Sequence, residues 1–449
     1  MKIALFVHCF FPRHYYGTEA YTLTLAKGLI AMGHEVTVVS ATFQGEPRQT
    51  RLVESYDWQG VPVLSIDKNA VPHGSVAETY AQPLMRWVHE RILRFLRPDA
   101  VHVCHLINHT TALIDAARAL EIPLFATLTD FFGFCLTNRL ECAGGGLCAG
   151  PSASRANCIA CHLKAAGGQA GASVASRLLA RPAIRPAAAH LLALAGRVSP
   201  GLRVGTLRPA DIVRRPAALR AALAGYREAI APSSFLRDAY AANGFPAPLR
   251  LSHFGIDIDR APKPPPADPK ALRLGYIGQL APHKGVDLLL GALRRAGSPH
   301  LALRIWGDEK QDAAYAARLR ALAAGQKVSF EGTFMPERLA AVLAELDLLV
   351  IPSTWYENSP LILLQALATH TPVVVSDVQG LSEFVDPGRS GFTVARGEEG
   401  ALAALLARLA ATPGEVHAMT ATTAYPRSAA DMVRDVAAMY AAHGLAGLV

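Results

Sequence analysis

From residue 2 onward the chain repeats one pattern, a short β-rich run, in most cases continuously apolar, followed by a stretch with helical spacing. In the first half the runs are Lys2–His8, Glu35–Ser40, Val61–Ile66, Ala100–His105, Leu124–Thr129, Glu228–Ala231 and Arg250–His253. In the second they are Leu272–Ile277, Leu301–Trp306, Lys327–Phe330, Leu346–Ile351, Pro372–Ser376 and Gly391–Val394. A strand with one wet face alternates apolar and polar residues; continuous Val/Ile/Leu runs instead suit parallel strands covered on both faces. Strands alternating with helices imply βαβ units and doubly wound, Rossmann-like α/β domains.

Two such halves meet at a Pro-rich stretch running from Arg260 to Pro269, which is stiff and extended and reads as a spacer. The expected organisation is an N-terminal domain over 1–259, a linker over 260–270, a C-terminal domain over 271–425, and a closing helix within 426–449. That helix, from about Ala429 to Gly444, is expected to pack back on the first domain.

Composition bounds the function. Hydrophobic residues make up 51% and charged residues 18%, enough apolar material for large cores and too little charge for a disordered chain. The first apolar run, Ile3–Phe11, ends at Pro12-Arg13 with no small-residue cleavage site behind it, and no run is long enough to span a bilayer, so a cytoplasmic protein is expected. The net charge of +8 is concentrated. Between His162 and Arg227 there are eleven Lys and Arg against one acid, Asp211. Interspersed Leu, Ile and Val make 162–227 either a basic amphipathic surface resting on anionic lipid at the inner face of the membrane, or solvated arginines on Ala-rich helices. No nucleic-acid-binding motif accompanies the charge, so nucleic acid is excluded as the partner.

Three loops that follow apolar runs carry chemistry. Leu346–Ile351 leads into Pro352-Ser-Thr-Trp-Tyr-Glu357-Asn-Ser-Pro360, where Ser359 suits a helix N-cap and Pro360 the first helical position. A helix start beyond the carboxyl end of a parallel strand offers free N–H groups to a diphosphate. Glu357 beside it suits sugar hydroxyls, although a solvated Glu on an ordinary turn reads the same way. Leu272–Ile277 ends in Gly278-Gln279, with Lys284-Gly285 opening the next helix, where a phosphate charge would be neutralised. It is not a Walker A loop. Pro372–Ser376 leads to Asp377-Val-Gln-Gly380-Leu-Ser-Glu383. Loops at adjacent strand ends of one open sheet converge on one crevice.

Taken together, these segments resemble the retaining glycosyltransferases of family 4. The resemblance runs from Gly17-Thr-Glu19 and Gly33-His-Glu-Val36 through Ala231-Pro-Ser-Ser-Phe235 and His253-Phe-Gly-Ile-Asp257. It continues through Lys284-Gly285, Glu357-Asn-Ser-Pro-Leu361 and Pro372–Asp377. It implies a GT-B fold, two Rossmann-like domains facing each other across a crevice. The activity implied is hexosyl transfer from a nucleotide-diphosphate sugar to a glycan or lipid-linked acceptor, with retention, in cell-envelope or exported polysaccharide biosynthesis. Glu357, Lys284 and Asp130 are the implied catalytic residues. Gly278, Gln279, Lys284, Asn358, Ser359, Pro360, Leu361, Gln365 and Glu383 line the donor, and Gly17, Thr18 and Glu19 border the acceptor side. No cofactor is implied for transfer.

Three positions depart from the family pattern. Gln365 stands where a second Glu usually holds the ribose, Gln279 where a basic residue is common, and Thr129 where a His often precedes Asp130. These motivate the alternative of a non-catalytic GT-B scaffold that binds nucleotide or glycan. His102, His105 and His109, at another strand end, read as core or surface residues.

Five of the seven cysteines, Cys135, Cys142, Cys148, Cys158 and Cys161, crowd into an insert over 135–162. A cytoplasmic chain would not hold them as disulfides. The Cys158-Ile-Ala-Cys161 spacing is that of metal ligands, and tetrahedral zinc takes four. A subset of the family with a similar insert implies Cys135, Cys148, Cys158 and Cys161 as ligands of a structural zinc, with Cys142 spare. An iron–sulfur cluster and reduced, unliganded thiols are the alternatives.

Overall fold

The computed structural model describes residues 1–169, 171–266 and 268–445. Ala170 in the basic segment, Ala267 in the linker and residues 446–449 of the closing segment lie outside the described residues. The chain divides into two compact units, Met1–His253 with the segment from Ala429 onward, and Phe254–Ser428.

The first unit holds an eight-stranded sheet of β1 (Lys2–Phe6), β2 (Glu35–Ala41), β3 (Val53–Trp58), β4 (Val61–Ile66), β5 (Ala100–Val103), β6 (Leu124–Thr127), β7 (Glu228–Ala231) and β8 (Leu249–Leu251). Their order is β3-β4-β2-β1-β5-β6-β7-β8, and every pair is parallel except β3 with β4. The central strands are buried throughout, which is why they read as continuous apolar runs. β3 was not legible that way. It is a half-exposed edge strand, joined to β4 through Gln59 and Gly60, both at positive φ, as a two-residue hairpin turn requires.

Residues 128–227 form a long excursion between β6 and β7, with helices Ala156–Gly167, Val174–Leu179, Arg185–Val198 and Pro209–Leu223. They share a small core of their own, including Ile159, Leu163, Ala189, Ala193 and Ile212. The closing helix, Ala429–Ala442, belongs to the same unit. Tyr440 is fully buried and its hydroxyl bonds His102 Nδ1 at 2.8 Å. Gly28 on the helix Gly17–Ala31 makes room for Val433, since a Cβ there would stand 2.4 Å from it.

The second unit holds β9 (Leu272–Ile277), β10 (Leu301–Trp306), β11 (Val328–Gly332), β12 (Leu348–Ile351), β13 (Val373–Asp377) and β14 (Gly391–Ala395), all parallel, in the order β11-β10-β9-β12-β13-β14. The chain enters at the middle strand, steps outward to β11, then returns beside β9 and steps outward the other way. The reversal lies between β9 and β12, where a doubly wound sheet opens a crevice at its carboxyl edge. β12 starts at Leu348 rather than Leu346. Asp347 spends its carboxylate on the Arg273 amide (2.7 Å) and guanidinium (2.7 and 3.0 Å).

The division between the units falls at His253, ahead of the Pro-rich stretch expected to mark it. That stretch is fastened to the second unit instead of spanning free. Lys263 Nζ donates to the Leu343 carbonyl at 2.8 Å and to Thr371 Oγ1 at 2.7 Å. Arg260 Nη2 likewise donates to the carbonyls of Ile256 (2.8 Å) and Arg427 (3.0 Å).

Candidate active site

In the second unit the loop after β9 and the loop after β12 meet. Gly285 sits at φ +72°, where a Cβ would lie 2.1 Å from the Pro352 carbonyl, so the close approach needs glycine. Thr354 N–H and Oγ1 both donate to the His283 carbonyl, at 2.9 and 3.1 Å. This contact brings Lys284 Nζ to 2.6 Å from Glu357 Oε1, across 73 residues of sequence.

Glu357 is 8% exposed, and the same oxygen also accepts Ser353 Oγ at 2.5 Å and Trp355 Nε1 at 3.1 Å. Burial alone would push this carboxyl up, but the Lys284 charge and the three donors outweigh it and hold Glu357 below the usual carboxylate value. The Trp355 ring lies 5.3 Å from Lys284 Nζ and against His283 at 3.7 Å between centroids. On the far side, Gly380 at φ +85° lets the loop after β13 close on Glu357, whose amide donates to the Gln379 carbonyl at 3.2 Å.

The remaining expected donor residues fall on the same three loops. Gly278 is exposed at the end of β9, and the Gln279 carbonyl accepts the Tyr276 hydroxyl at 2.6 Å. Gln365 is half-buried on the helix Leu361–Ala368, and Glu383 is exposed on the single turn Ser382–Phe384. One expectation is corrected. The helix begins at Leu361 with Pro360 as its N-cap, and Ser359 is not the cap. Ser359 is at φ +69° and 3% exposed, and its Oγ finds no partner, because the left-handed turn points it away from the helix amides. The first-turn amides therefore keep no side-chain cap.

A second cluster forms in the first unit, at the carboxyl ends of its central strands. His105, after β5, sits 2.7 Å from Asp130 Oδ2, after β6. His105 Nδ1 accepts the Ile107 amide at 3.2 Å, so Nε2 carries the proton that faces the carboxylate. Asp130 also accepts the Phe132 amide (3.1 Å) and Asn138 Nδ2 (3.1 Å). Burial pushes its carboxyl up, and His105 with these donors reverses the shift and holds it low. His8, after β1, stacks on His105 at 3.9 Å, and burial lowers its pKa far enough to keep the ring neutral.

The imidazole absent at Thr129, which instead donates to the Cys104 carbonyl at 2.7 Å, is thus supplied to Asp130 from the neighbouring strand. His105, expected in the core or at the surface, is buried at the carboxyl end of β5. His102 and His109 are core residues, bonded to Thr127 and Tyr440 and to the Val7 carbonyl respectively. On the expected acceptor side, Gly17 is exposed, Thr18 is half-buried, and Glu19 is buried, accepting Cys9 Sγ at 2.9 Å with His8 Nε2 at 3.3 Å. Glu19 therefore props the strand end from inside and does not line open space.

The cysteine window lies in the first unit. Among the described residues, the trio whose ligand atoms lie within 4.8 Å of one another is His8, Cys9 and Glu19. Cys135, Cys148, Cys158 and Cys161 share one neighbourhood, and burial, then the nearby Cys135, pushes the Cys158 and Cys161 thiols up to about 12 and 11. Cys148 Sγ donates to the Gly150 carbonyl (3.4 Å) and Cys161 Sγ to the Glu141 carbonyl (3.5 Å).

Residues 15–134 match the model of Glycosyltransferase Family 4, and residues 271–412 match that of Glycosyl transferases group 1. A GDP-mannose-dependent alpha-mannosyltransferase of Mycobacterium tuberculosis is 30% identical over 200 residues, covering 41% of this chain and 50% of that protein. A D-inositol 3-phosphate glycosyltransferase of Rhodococcus erythropolis is 35% identical over 136 residues, 28% of this chain and 30% of that one. The chain thus spans between about a third and half the length of these relatives. Among solved structures, Anabaena HepE in complex with UDP-glucose aligns at a TM-score of 0.64 and 15% identity over 98% of this chain and 100% of that one. Sucrose-phosphate synthase from Thermosynechococcus elongatus aligns at 0.61 and 18% identity, over 99% and 100%. The chain thus carries two stretches that match glycosyltransferase family models, and its fold is that of the GT-B structures.

Proposed function

We propose that the protein is a retaining hexosyltransferase that moves a sugar from a nucleotide-diphosphate sugar to a glycan or lipid-linked acceptor, in the building of cell-envelope or exported polysaccharide. The Lys284–Glu357 pair at the reversal between β9 and β12 carries this reading. A structural ion pair has no need of strand-end loops, uncapped helix amides and two glycines held at close approach. A diphosphate bearing a sugar does. In transfer, the acceptor oxygen bonds to the anomeric carbon as the bond from that carbon to the phosphate oxygen breaks. The acceptor proton passes to the departing diphosphate on the same face. Lys284, drawn from Glu357 to the diphosphate, stabilises the leaving charge together with the amides of Leu361 and its neighbours. Glu357 then fixes the sugar by its hydroxyls, so catalysis is mainly positioning. The His105–Asp130 pair is assigned to orienting the acceptor hydroxyl.

The GDP-mannose dependence printed for the Mycobacterium tuberculosis relative supports a sugar nucleotide as donor. The competing reading, a scaffold that binds without transfer, draws on Gln279 and Gln365. A panel of nucleotide sugars separates the two. Turnover of one donor that falls by about 10²-fold or more in Glu357→Ala, with Asp130→Asn lowering kcat more than donor KM, is the expected result. Donor binding without turnover in the unaltered chain would reject transfer and leave the scaffold.

A further inference from the structure

We propose that the outward face of the helix Arg185–Val198, extended by the short helix Val174–Leu179, is a docking surface for an anionic lipid bilayer. The longer helix is apolar on two opposite faces. Its inner face is Ala189, Ala193 and Gly196, all buried, and a Cβ on Gly196 would meet the Pro209 and Ala210 backbone at 2.9 Å. Leu191, Leu194 and Val198 follow at the spacing of a single helical stripe, half a turn round from that face, and they are 70%, 60% and 74% exposed.

An amphipathic helix that had finished packing would turn charge to solvent on this side. Thirteen large hydrophobic side chains are exposed among the described residues, and six of them (Val174, Leu178, Leu191, Leu194, Val198 and Leu202) fall within this one segment. Such crowding within one stretch of sequence differs from the scatter of single apolar residues that any surface carries.

The charge around these side chains selects the occupant. No Asp or Glu occurs between Glu141 and Asp211, while Arg177, Arg181, Arg197 and Arg203 are all exposed beside the apolar residues. A second copy of the chain would press like charges together. A bilayer bearing phosphate headgroups accepts both components, leucines into the acyl boundary and arginines at the headgroups. No helix among the described residues is long and apolar enough to cross a membrane, so the contact is with the surface.

The test is sedimentation of the purified full chain with vesicles of phosphatidylcholine alone and of phosphatidylcholine mixed with phosphatidylglycerol. Expected is binding to the mixed vesicles that weakens as salt is raised. The Leu191→Ser/Leu194→Ser/Val198→Ser variant should bind them about tenfold more weakly, with circular dichroism unchanged. Replacing Arg177, Arg181, Arg197 and Arg203 with Gln should remove most of the salt dependence. No binding of the unaltered chain at low salt, or equal binding by the serine variant, overturns the proposal. So does a dimer in the ultracentrifuge that the serine variant dissolves, which would give the face to a second copy. No donor or acceptor enters the assay, so its failure leaves the transferase reading standing.

Discussion

At the scale of single residues, Glu357 in the second unit is held by several groups. It is buried, and one of its oxygens serves Lys284, Ser353 and Trp355 at once. Removing the cation alone strands the carboxylate, which costs about 3–5 kcal/mol for a fully buried pair. Lys284 is a fifth exposed, so a smaller loss, on the order of 2 kcal/mol, is expected for Lys284→Met. Lys284→Met/Glu357→Gln should recover most of it, because no charge is then stranded. Chemical unfolding of the four chains in a double-mutant cycle measures this; equal losses in the single and double variants would show that the pair does not hold the loops. The pH dependence has a definite sign. The folded carboxyl lies below its unfolded value of 4.5, so its contribution is full above that pH and lost as pH falls through the folded value. Glu357→Gln should flatten that limb of the unfolding curve.

At the scale of elements, the site is made by loops that touch where side chains would forbid it. Gly380 stands at φ +85°, and a Cβ there would lie 1.7 Å from the Glu357 carbonyl. The left-handed conformation alone costs a non-glycine residue about 1–2 kcal/mol, and the clash must also move the backbone that carries Glu357. Gly380→Ala is therefore expected to lower both the thermal midpoint and nucleotide affinity. Gly388→Ala, also at positive φ but with open space around it, should lower stability alone. Nucleotide affinity unchanged in Gly380→Ala, read by calorimetry, would detach this loop from the site. Lys284 and Glu357 were legible as elements because each sits a few residues beyond an unbroken apolar run. The edge strand Val53–Trp58 was not, since its alternating, half-exposed residues carry no such run.

At the scale of the whole molecule, acid should loosen the first unit before it alters the chemistry. Burial pushes His102 down to about 3 and His109 to about 4, and lowers His8 and His89 well below the ordinary 6.5. Between 6.5 and those values the unfolded chain binds protons that the folded one refuses, so stability falls as pH drops through that window. A loss of a few kcal/mol is expected between about pH 6.5 and pH 4. The urea midpoint should track it, and His102→Gln should reduce the slope. A midpoint independent of pH over that range would mean these imidazoles are not buried neutral.

Sequence alone determined the local matters: which runs become parallel strands, that strand-end loops carry Lys284 and Glu357, and that the basic residues crowd between 162 and 227. Those follow from patterns a few residues long, through backbone preference and burial. The tertiary structure decided the partnerships. His105 rather than Thr129 serves Asp130, because β5 and β6 are neighbours in the sheet. The closing helix joins the first unit through Tyr440 and His102, which are 338 residues apart. The Cys161 sulfur meets the Glu141 carbonyl, 20 residues away. Contacts of that kind depend on strand order and on the directions side chains take from a folded backbone, and neither is written in the spacing of residues along the chain.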